Sequence, residues 1–188
     1  MQHAPAAVGA HRLLRVAGQP VADRVGRPYV AGALAASSDS GPETMTKLTY
    51  MKHERVSLKD HPEFDERWLQ DLIQQDPSVL GLPGVLEVLD RERRQERAGR
   101  LDLLLYDPDE ERRFELELML GTLDESHIIR AIEYWDLECR RYPGYDHVAV
   151  LVAEDVTGRF LNVLSLLAGT IPMIVLQCNA VQVGGQLV

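Results

Sequence analysis

Two short apolar runs, joined by a turn and each carrying acid, constrain this chain more than any other feature. In Arg113-Phe114-Glu115-Leu116-Glu117-Leu118-Met119, a strand places Glu115, Glu117 and Met119 on one face and Phe114, Leu116 and Leu118 on the other. In Leu101-Asp102-Leu103-Leu104-Leu105, a single acid stands in an otherwise apolar strand. Asp107-Pro108-Asp109 turns the chain between the runs, so they form a hairpin in which Asp102 can approach the glutamate pair. Three converging carboxylates repel one another unless a hard divalent cation neutralises them. Mg²⁺ or Mn²⁺ held there could polarise a phosphoryl oxygen and lower the pKa of an attacking water. The competing reading is a solvated strand face, with Glu115 and Glu117 paired to Arg100, Arg112 or Arg113; surface acids are common and such pairs contribute little.

The flanking sequence alternates helix and strand. Pro62–Gln75 reads as a helix with Pro62 in its first turn and Phe64, Trp68 and Leu72 on one face, ended by Asp76-Pro77. Gly84–Asp90 reads as a strand, and the charged stretch Arg91–Arg97 as a hairpin or extended arm, solvated because its signs are mixed, with a DNA-contacting arm as the less favoured alternative. Arg100–Tyr106 and Arg113–Leu120 are the two acid-bearing strands. A helix follows from about Asp124 to Arg140, capped by Asp124 or Thr122, with Arg140-Arg141 at its negative end and Ile128, Ile132 and Trp135 buried. Asp146–Ala153 is nearly all apolar, as a central strand covered on both faces should be. Val156–Ala168 is a helix with Phe160, Leu164 and Leu167 inward, Ile171–Gln177 a strand, and Ala180–Val183 a further candidate strand. The order α-β-β-β-α-β-α-β predicts an α/β domain, a central mixed sheet flanked by helices.

Its 188 residues suffice for one such domain and an extension. Residues 1–48, rich in Ala, Gly, Pro, Ser and Arg and without an apolar period, read as a disordered or non-native extension, and the domain is expected over 49–188. The Arg-rich start imitates an organelle-targeting peptide, but an upstream start codon, with the functional chain beginning near Met45 or Met51, accounts for it more simply. The use of Arg over Lys points to a GC-rich bacterial source. A net charge of −9 argues against a broad phosphate-binding surface, though a local basic strip can suffice. No apolar run is long enough to span a bilayer, so no membrane partner is expected. Cys139 and Cys178 form no ligand pattern and read as buried thiols in a reduced, cytoplasmic protein.

Gly99-Arg100-Leu101-Asp102-Leu103-Leu104, followed after a short loop by Glu115-Leu116-Glu117-Leu118-Met119, resembles the core of the PD-(D/E)XK (restriction-endonuclease-like) nuclease superfamily. The αβββαβ order around it is similar too. The resemblance runs from about residue 60 to the C-terminus and is most specific in Asp124–Arg130, which reads Asp-Glu-Ser-His-Ile-Ile-Arg as in an uncharacterised bacterial branch, and continues through Trp135-Asp136. It implies a restriction-endonuclease-like core, metal-dependent cleavage of nucleic acid, Asp102 as metal-binding Asp, Glu117 as the acid of the (D/E)XK element, and Glu66 as an additional acid. The position of the family's Lys falls on Met119, whose thioether cannot activate a water. A register with Glu115 as the first acid puts Glu117 in that place, an E-x-E arrangement.

On the helix after the acid strands, His127, Arg130 and Tyr134 form a polar stripe. Arg130 could steady a scissile phosphate and His127 could carry a proton; the plainer readings are a helix-end donor for His127, an Arg130 pair with Glu133 or Glu138, and packing for Tyr134 and Trp135. Asp155 reads as a helix cap, Arg159 as closing a turn on Glu154, and His147 as structural. Three functions follow: a Mg²⁺- or Mn²⁺-dependent endonuclease acting on DNA ahead of RNA, with Asp102, Glu115, Glu117 and Glu66 around the metal and Arg130 on the phosphate; a catalytically silent nuclease fold serving as a binding or assembly module, for which Met119 and the net charge speak; or, less favoured, an accessory enzyme or subunit whose exposed strand or helix pairs with itself or another protein. A homo-oligomer or a protein partner fits each.

Overall fold

A computed structural model describes residues 50–95 and 98–188. The expected extension over 1–48, and Glu96 and Arg97 of the charged stretch, lie outside the described residues. The chain forms β1 (His53–Val56), α1 (Glu66–Gln75), β2 (Glu87–Gln95), β3 (Gly99–Asp107), β4 (Arg112–Thr122), α2 (Glu125–Arg141), β5 (Asp146–Asp155), α3 (Gly158–Leu167), β6 (Met173–Gln177), β7 (Ala180–Val183) and β8 (Gln186–Leu187). Five strands make the central sheet in the order β2-β3-β4-β5-β6. Short turns make β2, β3 and β4 antiparallel, whereas α2 and α3 are the crossovers that the parallel β4–β5 and β5–β6 pairs require. The mixed sheet between helices is therefore as expected, with β1, β7 and β8 adding a small antiparallel sheet.

The two faces are covered separately. Leu69 and Ile73 of α1 pack with Leu103, Leu105, Phe114, Leu116, Leu118, Val150 and Val152. On the other face, Ile128 and Ala131 of α2 and Leu164 of α3 pack with Ala149, Leu151, Ala153 and Val175. β5 is thus covered on both sides, which is why its middle is apolar at every position. In α2 the buried positions are Ile128, Ala131, Tyr134 and Glu138, with Ile132 and Trp135 partly buried beside them. Among the described residues no helix is long and apolar enough to cross a membrane.

Several local expectations are corrected. α1 starts at Glu66 rather than Pro62, because the extended Asp65 accepts the Trp68 N–H at 2.8 Å; a side-chain cap fixes the start more firmly than a proline that merely tolerates it. The charged stretch is no separate arm as far as Gln95: it continues β2, with Arg91 and Arg93 half-buried and Glu92 and Arg94 exposed in strand alternation. Asp155 ends β5 instead of capping α3, whose N-cap is Thr157. Arg159 lies 3.8 Å from Glu125 of α2, not on Glu154. Glu154 is buried and accepts the backbone N–H groups of Leu58 (2.6 Å), Lys59 (3.0 Å) and Gly121 (2.6 Å), binding the segment before α1 to the sheet. Both cysteines are half-buried, and burial, helped by Glu154, pushes the Cys178 thiol up to about 11, leaving it inert.

Candidate acidic site where two strands part

The β4 alternation holds: Phe114, Leu116 and Leu118 lie in the α1-side core, while Met119 packs in the cluster under α2 and α3. Glu115 and Glu117 are each 0 % exposed, which excludes the solvated-face reading. A buried carboxylate needs a counter-charge or a proton, and the two glutamates meet that need differently.

Glu115 lies 2.7 Å from Nδ1 of His147, whose Nε2 lies 3.0 Å from the Tyr142 carbonyl. With an oxygen acceptor at each ring nitrogen, the imidazole fills both bonds by carrying two protons. Burial opposes that charge most, but the hydrogen bond and charge of Glu115, together with the Tyr142 carbonyl, outweigh it and hold His147 above its ordinary pKa. Burial likewise pushes Glu115 above the usual carboxylate range, with His147 opposing. His147 is thus structural, as expected, and its partner is one of the predicted site acids.

Glu117 receives a hydrogen bond from an Arg130 guanidinium nitrogen, so Arg130 pairs with neither Glu133 nor Glu138. The other carboxylate oxygen of Glu117 is buried without a hydrogen-bond partner.

Asp102 sits where β3 and β4 separate. Their ladder runs as far as Leu103↔Leu116. Beyond it, the Leu118 N–H donates at 2.7 Å to Asp102 Oδ2, so a side chain replaces the carbonyl that a continuing ladder would offer. Asp102 Oδ1 accepts from Gln70 Nε2 at 3.3 Å, and the same amide nitrogen donates to Glu92 Oε1 at 3.0 Å. Arg91 Nε in turn donates to the Gln70 oxygen at 2.9 Å. Burial pushes the Asp102 carboxyl up to about 6; the Leu118 amide opposes this, Glu66 and Glu92 add to it, and Arg130 counters them. Glu66 is raised by its own burial, with His127 and Arg130 pulling down and Glu92 pushing up.

Arg130 links these acids electrostatically: its guanidinium binds Glu117 and lowers the carboxyls of Asp102 and Glu66. Glu115 is set apart on His147. Among the described residues no group of three or more His, Cys, Asp or Glu side chains is arranged to hold a metal ion. His127 belongs to the helix start: its N–H and its Nδ1 both meet Asp124 Oδ1, at 3.0 and 2.8 Å. Tyr134 is a packing residue, buried with its hydroxyl donating to the Ala98 carbonyl at 2.9 Å. A Cβ on Gly99, at φ 111°, would come within 2.7 Å of that hydroxyl, so glycine is required there.

Two residues of this site lay outside the sequence reading. Gln70 had a signal: it is polar yet sits next to Leu69 on the buried side of α1, at 3 % exposure. Glu92 had none, because what draws it in is a left-handed backbone (φ 50°) in the middle of a strand.

No family model matches the chain, and no curated protein matches it. Among solved structures, a repair endonuclease from Pyrococcus abyssi superposes with a TM-score of 0.50 at 23 % identity, covering 63 % of this chain and 49 % of that one. The shared feature is the fold. The domain is endonuclease-like in architecture. The structure of an EndoMS–dsDNA2 complex matches with a TM-score of 0.49 at 23 % identity, over 60 % of this chain and 44 % of that one. The chain thus spans about half the length of each. Within this endonuclease-like fold, the acids lie on β3 and β4, and Arg130 reaches them from α2.

Proposed function

We propose that the chain is a cytoplasmic phosphodiester-hydrolysing enzyme of the PD-(D/E)XK type that uses Mg²⁺ or Mn²⁺ and takes DNA ahead of RNA. One observation carries this reading: a single guanidinium binds the buried Glu117 of β4 and lowers the carboxyls of the buried Asp102 of β3 and the half-buried Glu66 of α1. The group is short of positive charge, and one oxygen of Glu117 is buried with no partner. That donor set, all carboxylate oxygen, suits a hard divalent cation. Asp102, Glu117 and Glu66 would hold it, with Glu115 kept behind them on His147. When bound, the ion supplies Lewis acidity toward a phosphoryl oxygen and makes an attacking water more acidic.

The chain's own residues do the positioning. The Leu118 amide and Gln70 fix both oxygens of Asp102. Arg130, whose side chain is 38 % exposed, can leave Glu117 for a phosphate oxygen, since guanidinium geometry fits phosphate as well as carboxylate.

A second reading, a nuclease fold that binds without cutting, is favoured by Met119 at the family's lysine position and by the Arg130–Glu117 pair, which already satisfies half of that carboxylate. Supercoiled plasmid incubated with Mn²⁺ separates the two. The wild type is expected to nick it, and Glu117→Ala to lose about 100-fold or more, since even residues that merely support a metal's ligands cost 10–100-fold. DNA bound but left intact by the wild type would select the second reading, and identical cleavage by both proteins would contradict the catalytic assignment.

A further inference from the structure

Resting on that reading, we infer that Arg94 and Arg100, face to face on the β2–β3 hairpin, form the grip that holds the phosphate backbone of the nucleic acid beside the acidic site. The two residues are direct partners in the antiparallel register, and both are exposed. Side chains so paired stand about 5 Å apart at Cβ, and like charges in that position destabilise a sheet. Arg94 has no ion-pair partner among the described residues, and Arg100, 67 % exposed, has a 3.4 Å contact to the part-exposed Glu92. Among the described residues the hairpin thus keeps two facing arginines with a single long contact to Glu92 between them, at a place where its own stability would favour an opposite charge.

Position gives that pair a use. Arg100 is two residues before Asp102 on β3, about 7 Å along the strand. Nucleic-acid strands advance about 3.4 Å per phosphate, so a backbone gripped at this pair carries a phosphodiester within two nucleotides' advance of the acids. In a chain of net charge −9, whose site acids repel any polyanion, affinity has to come from a local basic feature. Other arginines near the acids are engaged: Arg91 by Gln70 and Asp71, Arg93 by Glu138 and Asp90, and Arg130 by Glu117. Both positions hold arginine, whose forked donors match phosphate oxygens.

The test measures binding apart from cutting: fluorescence anisotropy of a labelled duplex oligonucleotide, in EDTA, across a salt series, for the wild type, Arg94→Ala/Arg100→Ala and, as a control, Arg140→Ala, whose arginine pairs with Asp136 on α2. The double variant is expected to bind about tenfold more weakly, with a log–log salt slope shallower by about 2, one for each lost phosphate contact, and Arg140→Ala to match the wild type. Circular dichroism should show the double variant folded, with a melting temperature not below the wild type, because the substitutions remove a repulsion. Equal affinity and slope in wild type and double variant, or equal losses in the double variant and Arg140→Ala, would overturn the grip while leaving the catalytic proposal standing. A wild type that binds through this pair but never nicks plasmid would support the grip and sink the catalysis.

Discussion

Replacing Glu138 by alanine is expected to cost the fold about 3–5 kcal/mol, as removal of one partner from a buried ion pair commonly does. Glu138 is 0 % exposed on α2, and a single oxygen of it accepts three donors: Arg93 Nε at 3.0 Å, Gln95 Nε2 at 2.9 Å and an Arg141 nitrogen at 2.7 Å. Arg113, stacked between the rings of Tyr142 and Tyr145, lies 3.9 Å from the other oxygen. This carboxylate ties the edge strand β2, which has a hydrogen-bonded neighbour on one side only, to α2, alongside the Arg141–Gln95 and Arg93–Tyr142 hydrogen bonds at 3.4 and 3.0 Å. Without it three guanidinium groups face one another with little between them, and partial exposure of Arg93 and Arg141 to water moderates the loss toward the lower figure. Glu138→Gln keeps the acceptor and should cost about 1–2 kcal/mol less than alanine. Urea unfolding of the three proteins measures both differences, and a Glu138→Ala cost below 1 kcal/mol would show that β2 is held by other contacts.

Arg130→Ala is expected to cost about 2–4 kcal/mol, somewhat below a fully buried pair because Arg130 is part-exposed. The substitution leaves both oxygens of Glu117 buried without a donor, so Glu117 would take up a proton and its folded pKa would rise above its unfolded value. A carboxyl raised in this way contributes most below its unfolded pKa, and stability falls as pH rises through the folded one. The difference from wild type should therefore be small near pH 4 and grow as pH rises. Asp102, already pushed to about 6 by burial, gives a decline of the same sign between about pH 4 and 6 in the wild type, and one that reaches to higher pH in Arg130→Ala, which lacks the guanidinium that holds this carboxyl down. Glu117→Gln/Arg130→Ala removes the stranded charge and should restore much of the loss at pH 7. Chemical denaturation across pH measures this, and a loss independent of pH would mean that Arg130 acts by packing.

What could be read from the chain and what could not follow a physical divide. The β4 acids were legible because a period of two assigns faces without any tertiary information, and the burial of Phe114, Leu116 and Leu118 on the α1 side bears that out. The central sheet was legible because an apolar run such as Val148–Ala153 has few other uses. Whom each carboxylate meets was not. Glu115 goes to His147 because the parallel register sets Arg113 opposite His147, a consequence of how the α2 crossover closes. Gln70, Glu92 and Asp102 share hydrogen bonds although 32 residues separate the first from the last, and local sequence carries no record of that. The four-residue β1 was missed because His53-Glu54-Arg55-Val56 has no apolar alternation; its pairing to β7 makes it a strand.

The proposed function stands on one property, that Asp102, Glu117 and Glu66 take up a divalent cation. Calorimetric titration of Mn²⁺ into the wild type and Asp102→Asn tests it most directly, with far-UV circular dichroism confirming that both are folded. The account predicts saturable uptake near one ion per chain by the wild type, lost or strongly weakened in Asp102→Asn. No uptake by the folded wild type, or uptake that Asp102→Asn leaves unchanged, would contradict it.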